Sequence, residues 1–119
     1  MVFLRILLII CGFSCLCQGQ GYIFPSVRLE AFKPSGFRAS IKADPGIELF
    51  AFHGNKNKEI MLNDPGEFSA ELRHAKNGRF AYDDPELSFV VGDVIYYWAF
   101  VQHQRMGHKK IFEKWTVNG

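Results

Sequence analysis

Residues 94–101 read VIYYWAFV, an unbroken run of apolar and aromatic side chains. Such residues favour strands over helices, and a run that is apolar on both faces is typical of a central strand with both faces covered. Working outward from it, the flanking segments alternate apolar and polar residues with period two, which predicts strands with one buried face. These segments are 27–31, 37–41, 47–51 and 68–72, and a last strand is predicted over 111–117.

Turn signals separate the alternating segments at nearly regular intervals. Gly and Asn accept positive φ angles and Pro presets its own φ, so clusters of these residues mark tight turns. The clusters fall at 34–36, 44–46, 53–58, 64–66, 77–78, 83–85, 92–93 and 106–107. Only residues 70–76 could hold a helical turn. Seven or eight short strands in about 100 residues predict an all-β, antiparallel β-sandwich.

The amino terminus has the pattern of a secretory signal peptide. Arg5 supplies a positive charge, residues 6–13 are mostly apolar, and small residues end at Gly19, where we expect cleavage. We therefore predict a signal peptide over 1–19 and one secreted domain over 20–119, without a membrane span because the apolar run is shorter than about 20 residues. The predicted signal peptide contains every cysteine of the chain, namely Cys11, Cys15 and Cys17, so no disulfide is expected in the domain.

Composition excludes several functional classes. Without the predicted signal peptide the chain has thirteen basic and twelve acidic side chains, a balance too even for a nucleic-acid binder. The domain lacks a cysteine nucleophile and a Gly-x-Ser-x-Gly motif, and its four histidines have no metal-ligand spacing. Asp83 and Asp84 point to opposite sides if the backbone is extended, so they do not form the facing carboxylate pair of a glycosidase. We expect no metal, no cofactor and no catalysis.

Several strings are distinctive when taken together. They are Leu29-Glu30-Ala31, the run GIELFAFHG over 46–54, AKNGRF over 75–80, GDVIYYW over 92–98 and Trp115-Thr116-Val117. They resemble the N-terminal module of insect β-1,3-glucan recognition proteins, also called Gram-negative bacteria-binding proteins, which is carbohydrate-binding module family 39. The resemblance extends from Tyr22 to Val117, and the chain looks like a stand-alone short form of the module.

The resemblance implies an immunoglobulin-like β-sandwich that binds β-1,3-glucan of fungal or microbial walls, including the triple-helical form, in innate immunity. Haemolymph immune proteins are implied as further partners. The rival hypothesis is an immunoglobulin-like decoy that contacts proteins and has lost sugar binding; an enzyme is the weakest alternative.

The resemblance also implies where the ligand lies. The candidate ligand-binding residues are Asp44, Arg79, Phe80, Asp83, Asp84, Gln102, Arg105, His108 and Lys109. Three positions depart from the family pattern: Ala43 replaces an acidic residue, Phe80 replaces Trp, and Asp83 stands where a guanidinium is usual. Alternatively, Phe80 belongs to the core, Arg79 is a solvated strand residue, and residues 102–109 form a solvated hairpin tip. Trp98 and Trp115 are assigned to the core because both lie among large apolar residues.

Overall fold

The structure, a computed structural model, describes residues 22–118. The predicted signal peptide and the three cysteines lie outside the described residues. Within 22–118 the chain forms seven strands and no helix, so 70–76 holds no helical turn. The strands are β1 (Arg28–Ala31), β2 (Phe37–Lys42), β3 (Ile47–Lys56), β4 (Phe68–Leu72), β5 (Arg79–Asp84), β6 (Val94–His103) and β7 (Met106–Thr116).

The strands form two antiparallel sheets, which confirms the predicted β-sandwich. One sheet has three strands in the order β1-β2-β5, and the other has four in the order β4-β3-β6-β7. In a constant-type immunoglobulin domain the fourth strand pairs with the fifth, whereas here β4 pairs with β3. The run at 94–101 lies in β6, between β3 and β7, so it is a central strand as predicted.

Aromatic rings from both sheets form the core. The ring of Phe37, on β2, lies 5.7 Å from that of Phe52 and 5.5 Å from those of Phe68 and Phe89, measured between centroids. Tilted and edge-to-face ring pairs at such distances add about 0.5–1.5 kcal/mol each beyond the burial of their apolar area. Since Phe52 and Phe68 belong to the four-stranded sheet, Phe37 joins the two sheets directly.

Within 47–51, the prediction of which side chains point into the core is wrong from Leu49 onward. Ile47, Leu49 and Ala51 were expected to point into the core; Ile47 does pack against the core cluster, but beyond it the residues that join the cluster are Phe50 and Phe52. The pairing of β3 with β6 shifts between Ile47 and Leu49, and one extra residue at a bulge moves the following side chains to the opposite face. Leu49 and Ala51 are nevertheless buried, on the outer side of the four-stranded sheet.

The two tryptophans are shielded from solvent in different places. Trp115 is half-buried and packs against the core cluster from β7. Trp98 is buried on the outer side of the four-stranded sheet, where its ring stacks on His53 at 4.2 Å and its indole N–H donates to the carbonyl of Asp64 at 2.9 Å. The loop after β3 therefore covers Trp98, so Trp115 packs against the core as predicted, whereas Trp98 is buried as predicted but outside the cluster between the sheets.

Candidate functional site

The outer side of the three-stranded sheet is an open, polar face. Phe37, Ala39 and Ile41 of β2 point into the core, so the residues between them point outward. The same alternation applies to β1 and β5, and in all three strands the outward side chains are non-aromatic. They are Arg28 and Glu30 on β1, Arg38, Ser40 and Lys42 on β2, and Arg79, Ala81 and Asp83 on β5.

Three shallow concavities adjoin one another along this face. The largest two, of about 540 and 470 Å³, share Arg28 and Arg79 in their walls. A third, of about 330 Å³, shares Arg38 and Asp83 with the 470 Å³ concavity. Each concavity is lined by residues of β2, and the six residues of this strand span about 20 Å. The three concavities together therefore form one elongated surface. We call this surface the polar strip; it comprises Arg28, Arg38, Ser40, Lys42, Asp44, Lys76, Arg79, Ala81 and Asp83.

Arg79 is fixed at the middle of the polar strip by Ser40. Its Nε donates to the Ser40 hydroxyl at 3.0 Å, and its Nη2 reaches the Ser40 carbonyl at 3.5 Å. Ser40 has no exposed surface because the guanidinium group covers it. A guanidinium has five N–H donors in a rigid fork, so Arg79 keeps further donors for a ligand while its position is fixed.

Arg38 and Asp83 lie opposite each other on β2 and β5 and form an ion pair. The Nε of Arg38 is 2.6 Å from the carboxylate of Asp83, and each side chain is about half exposed, at 45% and 53%. The hydrogen bond with Asp83 raises the pKa of Arg38 above its ordinary value. The pair fixes both charged groups at the point where two of the concavities meet.

The structure brings four of the predicted site residues to this face. Asp44, Arg79 and Asp83 line the polar strip, and Asp84 lines the third concavity at its end. The carboxylate of Asp84 accepts hydrogen bonds from the Tyr82 hydroxyl at 3.2 Å and from the Glu86 amide at 3.0 Å. Its role is therefore partly structural.

Phe80 lies on the opposite side of the sheet from the polar strip. Its neighbour Arg79 points outward, so the side chain of Phe80 points inward, and it belongs to the core cluster with 4% of its surface exposed. Of the two alternatives for Phe80, the structure favours the core, and its ring is not on the open face.

The predicted residues of the β6–β7 hairpin form a separate group. The Gln102 side chain and the Arg105 amide both donate to the carboxylate of Glu48, at 3.0 and 3.1 Å. His108 stacks on Tyr22 at 4.0 Å, and Lys109 pairs with Phe100 across β6 and β7. None of the four predicted hairpin residues lines a concavity of the polar strip.

The hairpin group and the polar strip nevertheless lie at the same end of the sandwich. The Gln104 amide donates to the carbonyl of Gly46, two residues after Asp44, at 3.0 Å. Tyr22, which stacks on His108 of the hairpin, also lies near Asp44. Burial raises the pKa of Tyr22, and the charge of Asp44 adds to the effect. The loop that carries Asp44 therefore connects the two groups.

Besides Ala81, five members of the polar strip, all with polar side chains, were not predicted from the sequence. The signal was present, because the predicted inward positions on β2 imply which residues point outward. The positions of Arg28 on β1 and of Lys76 before β5 cannot be predicted from alternation. They depend on which strands pair in the fold, and the paired strands are distant in sequence. The missed residues are Arg28, Arg38, Ser40, Lys42 and Lys76.

Residues 22–118 contain no group of three or more His, Cys, Asp or Glu side chains arranged to hold a metal ion. Nor does this part of the chain contain a helix long and apolar enough to cross a membrane.

Comparison with known proteins gives a consistent result. The family model CBM39, described as a carbohydrate binding domain (family 32), matches residues 23–119. A beta-1,3-glucan-binding protein of Hyphantria cunea is 39% identical over 96% of this chain and 24% of its own length. Gram-negative bacteria-binding protein 3 of Drosophila melanogaster is 37% identical over 84% of this chain and 20% of its own. A beta-1,3-glucan-binding protein of Tenebrio molitor is 37% identical over 78% and 20%, respectively. The chain thus spans about a fifth to a quarter of the length of these relatives.

Proposed function

This chain belongs to the CBM39 family of carbohydrate-binding modules, and on that premise we propose that it is a secreted, non-catalytic module that binds β-1,3-glucan of microbial cell walls. Its relatives are named for binding β-1,3-glucan or Gram-negative bacteria. The proposal extends the first of these ligands to this chain and assigns the chain to innate immune recognition, with haemolymph immune proteins as further partners. The predicted signal peptide over 1–19 supports an extracellular location.

The polar strip is the observation that carries the proposal. A glucan chain presents repeated hydroxyl groups, each of which can donate and accept hydrogen bonds. The strip offers donors from Arg79 and Arg28 and carboxylate acceptors from Asp44 and Asp83 along about 20 Å of sheet. Each hydrogen bond adds only about 0.5–1.5 kcal/mol, so affinity would come from several contacts to an extended polymer.

Binding without catalysis fits the contact that Asp83 makes with Arg38. A glycosidase needs one carboxyl group that gives up a proton to the leaving oxygen, facing a second carboxylate across the sugar. Asp83 instead accepts a hydrogen bond from Arg38 at 2.6 Å, so its carboxylate is held against a guanidinium group and not against a second carboxylate. We therefore propose that Asp83 contacts hydroxyl groups and does not transfer protons.

The direct test is sedimentation of the full chain with insoluble β-1,3-glucan. Arg79→Ala and Asp44→Ala remove a donor and an acceptor from the polar strip, and we expect each to weaken binding about tenfold, equal to about 1.4 kcal/mol. Lys114→Ala serves as the control, because Lys114 is exposed on β7 in the other sheet. Circular dichroism establishes that each variant remains folded.

Two results would contradict the proposal. If the unaltered chain fails to sediment with any insoluble β-1,3-glucan, the ligand is wrong. If it sediments and both strip variants bind as well as Lys114→Ala, the ligand is right and the polar strip is not the site. Release of reducing sugar from soluble β-1,3-glucan would contradict the absence of catalysis.

A further inference from the structure

The polar strip carries an excess of positive charge that a neutral sugar does not require. The side chains lining its two larger concavities include five Arg or Lys residues and two Asp. Glu30, which faces Arg38 from β1, reduces the excess from three charges to two. Residues 22–118 as a whole contain thirteen basic and twelve acidic side chains, so the positive charge is concentrated on this face. The basic residues are Arg28, Arg38, Lys42, Lys76 and Arg79.

Most of these cations have no acidic partner. Within 22–118, Arg38 and Asp83 form the one ion pair closer than 4.0 Å. Arg79 donates to a serine hydroxyl and a carbonyl, which leaves its charge uncompensated. Arg28, Lys42 and Lys76 likewise have no carboxylate within this distance among the described residues.

In the 470 Å³ concavity, two of the cations lie beside small residues. Ser40 and Ala81 lie opposite each other on β2 and β5, and Arg28 pairs with Ser40 from β1. Ala81 is small and leaves room beside the Arg79 guanidinium, which covers Ser40, and the side chain of Arg28 lines the same concavity. His74 and Lys76, before β5, add a further wall to the same 470 Å³ concavity.

Arg and Lys side chains donate hydrogen bonds and cannot accept them. A neutral polyhydroxyl chain needs both donors and acceptors, whereas a carboxylate, sulfate or phosphate group offers acceptors alone. Hydrogen bonds between ionised partners are roughly twice as strong as those between neutral ones, and Arg binds such anions with two parallel N–H groups. Asp83 in the same concavity is paired with Arg38, so the charged side chains that remain unpaired there, Arg28, Lys76 and Arg79, match an anionic oxygen group better than a hydroxyl group.

We propose that the polar strip binds anionically substituted β-1,3-glucan in preference to the neutral polymer, with the anionic group held between Arg28, Arg79 and Lys76. This inference rests on the proposed function, since it takes the glucan chain as the scaffold that carries the anion. Lys42 and Asp44 border the neighbouring concavity, where the sugar chain continues.

The test compares three soluble β-1,3-glucans of equal chain length: neutral, carboxymethylated and sulfated. Dissociation constants of the full chain are measured by calorimetry at about 50 mM and about 500 mM NaCl, because salt screens contacts between exposed charges. We expect both anionic forms to bind about tenfold more tightly than the neutral form at low salt, and most of this advantage to disappear at high salt. The carboxymethylated and sulfated arms show which anion the concavity prefers.

Two double variants separate a local contact from a general effect of charge. Arg28→Gln with Lys76→Gln alters the concavity, and Lys58→Gln with Lys114→Gln removes the same charge from exposed positions outside the polar strip. We expect the first pair to reduce the ratio of anionic to neutral affinity to about one, and the second pair to retain most of the ratio.

Equal affinity of the unaltered chain for neutral and anionic glucans would overturn the inference and leave the proposed function intact. An equal fall of the ratio in both double variants would also overturn it, because the preference would then reflect net charge. Binding of the anionic forms alone would contradict the neutral ligand of the proposed function while supporting the charge preference.

Discussion

Two neighbouring residues on β5 have opposite roles. Arg79 points to the open face and is held by Ser40, and Phe80 points to the core, where 4% of its surface is exposed. The division follows from the geometry of a strand, in which successive side chains point to opposite faces. A substitution at one position should therefore alter binding and a substitution at the next should alter stability.

We expect Phe80→Ala to lower the free energy of unfolding by about 3–5 kcal/mol, because it removes a buried ring and leaves a cavity between the sheets. Urea denaturation followed by tryptophan fluorescence measures this change. Lys42→Ala, an exposed position on the neighbouring strand, should change the same free energy by less than about 0.5 kcal/mol. A Phe80→Ala protein as stable as Lys42→Ala would contradict the inward orientation of the ring.

Part of the site could be predicted from the sequence, residue by residue. Alternation assigns Phe37 and Ile41 to the core and so defines an outer face, and the family resemblance added Asp44, Arg79 and Asp83. The resemblance could not reveal Arg38 as the partner of Asp83, because this contact joins residues 45 positions apart. Alternation leaves the orientation of Phe80 open until the orientation of its neighbour Arg79 is known.

At the scale of elements, hydrogen bonds hold the loop between β3 and β4 against β3. The buried Asn55 accepts a hydrogen bond from the Glu67 amide at 2.8 Å and donates to the Glu59 carbonyl at 3.2 Å. Gly66 then passes so near β3 that an added Cβ would lie 2.7 Å from the backbone oxygen of Gly54. The loop is thereby held in the position where it covers Trp98.

Gly66 and Gly78 form a matched pair for testing this close approach. Their φ angles are nearly identical, at 80° and 79°, but a Cβ on Gly78 would meet nothing within 4 Å. Gly78→Ala should therefore lose only the backbone preference, about 1–2 kcal/mol of unfolding free energy. Gly66→Ala should lose about 1–3 kcal/mol more, because the backbone of Gly54 must also move.

Urea unfolding of the two alanine variants measures the difference. Equal unfolding free energies would contradict the close contact between the loop and β3, since the backbone strain is the same in both variants.

The bulge in β3 shows why the start of this strand was easier to predict than the direction in which its side chains point. The strand begins at Ile47, as the alternating pattern predicted, but a shift in its pairing with β6 places Phe50 and Phe52 in the core. Both sides of β3 are rich in apolar residues, so period two alone does not distinguish them. The pairing with β6 decides the outcome, and at the bulge it joins Leu49 to Gln102, 53 positions further along the chain.

At the scale of the whole molecule, the two sheets enclose two tyrosines whose hydroxyl groups resist ionisation. Burial raises the pKa of Tyr97 to about 12, with a smaller contribution from the charge of Glu113. Burial also raises the pKa of Tyr82 to about 12, and the carboxylate of Asp84 adds to the effect. An unfolded tyrosine has a pKa of about 10, so the unfolded chain loses these protons first.

Stability should therefore fall in alkaline solution over a defined range. The contribution of these tyrosines is fully present below about pH 10 and is lost as the pH rises toward about 12, because ionisation then favours the unfolded state. Urea midpoints between pH 8 and pH 12 should fall less steeply in Tyr97→Phe than in the unaltered chain. Tyr96→Phe, on the outer side of the same strand, serves as the control. Parallel curves for all three proteins would contradict the assignment.

The two-sheet architecture was predictable because turn signals separate the six strand segments that the sequence pattern identifies. The distribution of the strands between the sheets was not, since β4 has similar alternation whether it pairs with β3 or with β5. Only the pairing in the folded molecule, with Phe52 opposite Ala70, assigns β4 to the four-stranded sheet.

The contacts of Phe37 with rings of both sheets have a consequence for amide hydrogen exchange. A strand anchored in this way cannot open alone, so the amide protons of β2 should exchange with deuterium only when the entire sandwich unfolds. The short strand β1, at the sheet edge, is free to fray on its own. A polymer arriving at the outer side of β2 would thus meet a preformed surface, and little of its binding energy would be spent on ordering the backbone beneath it.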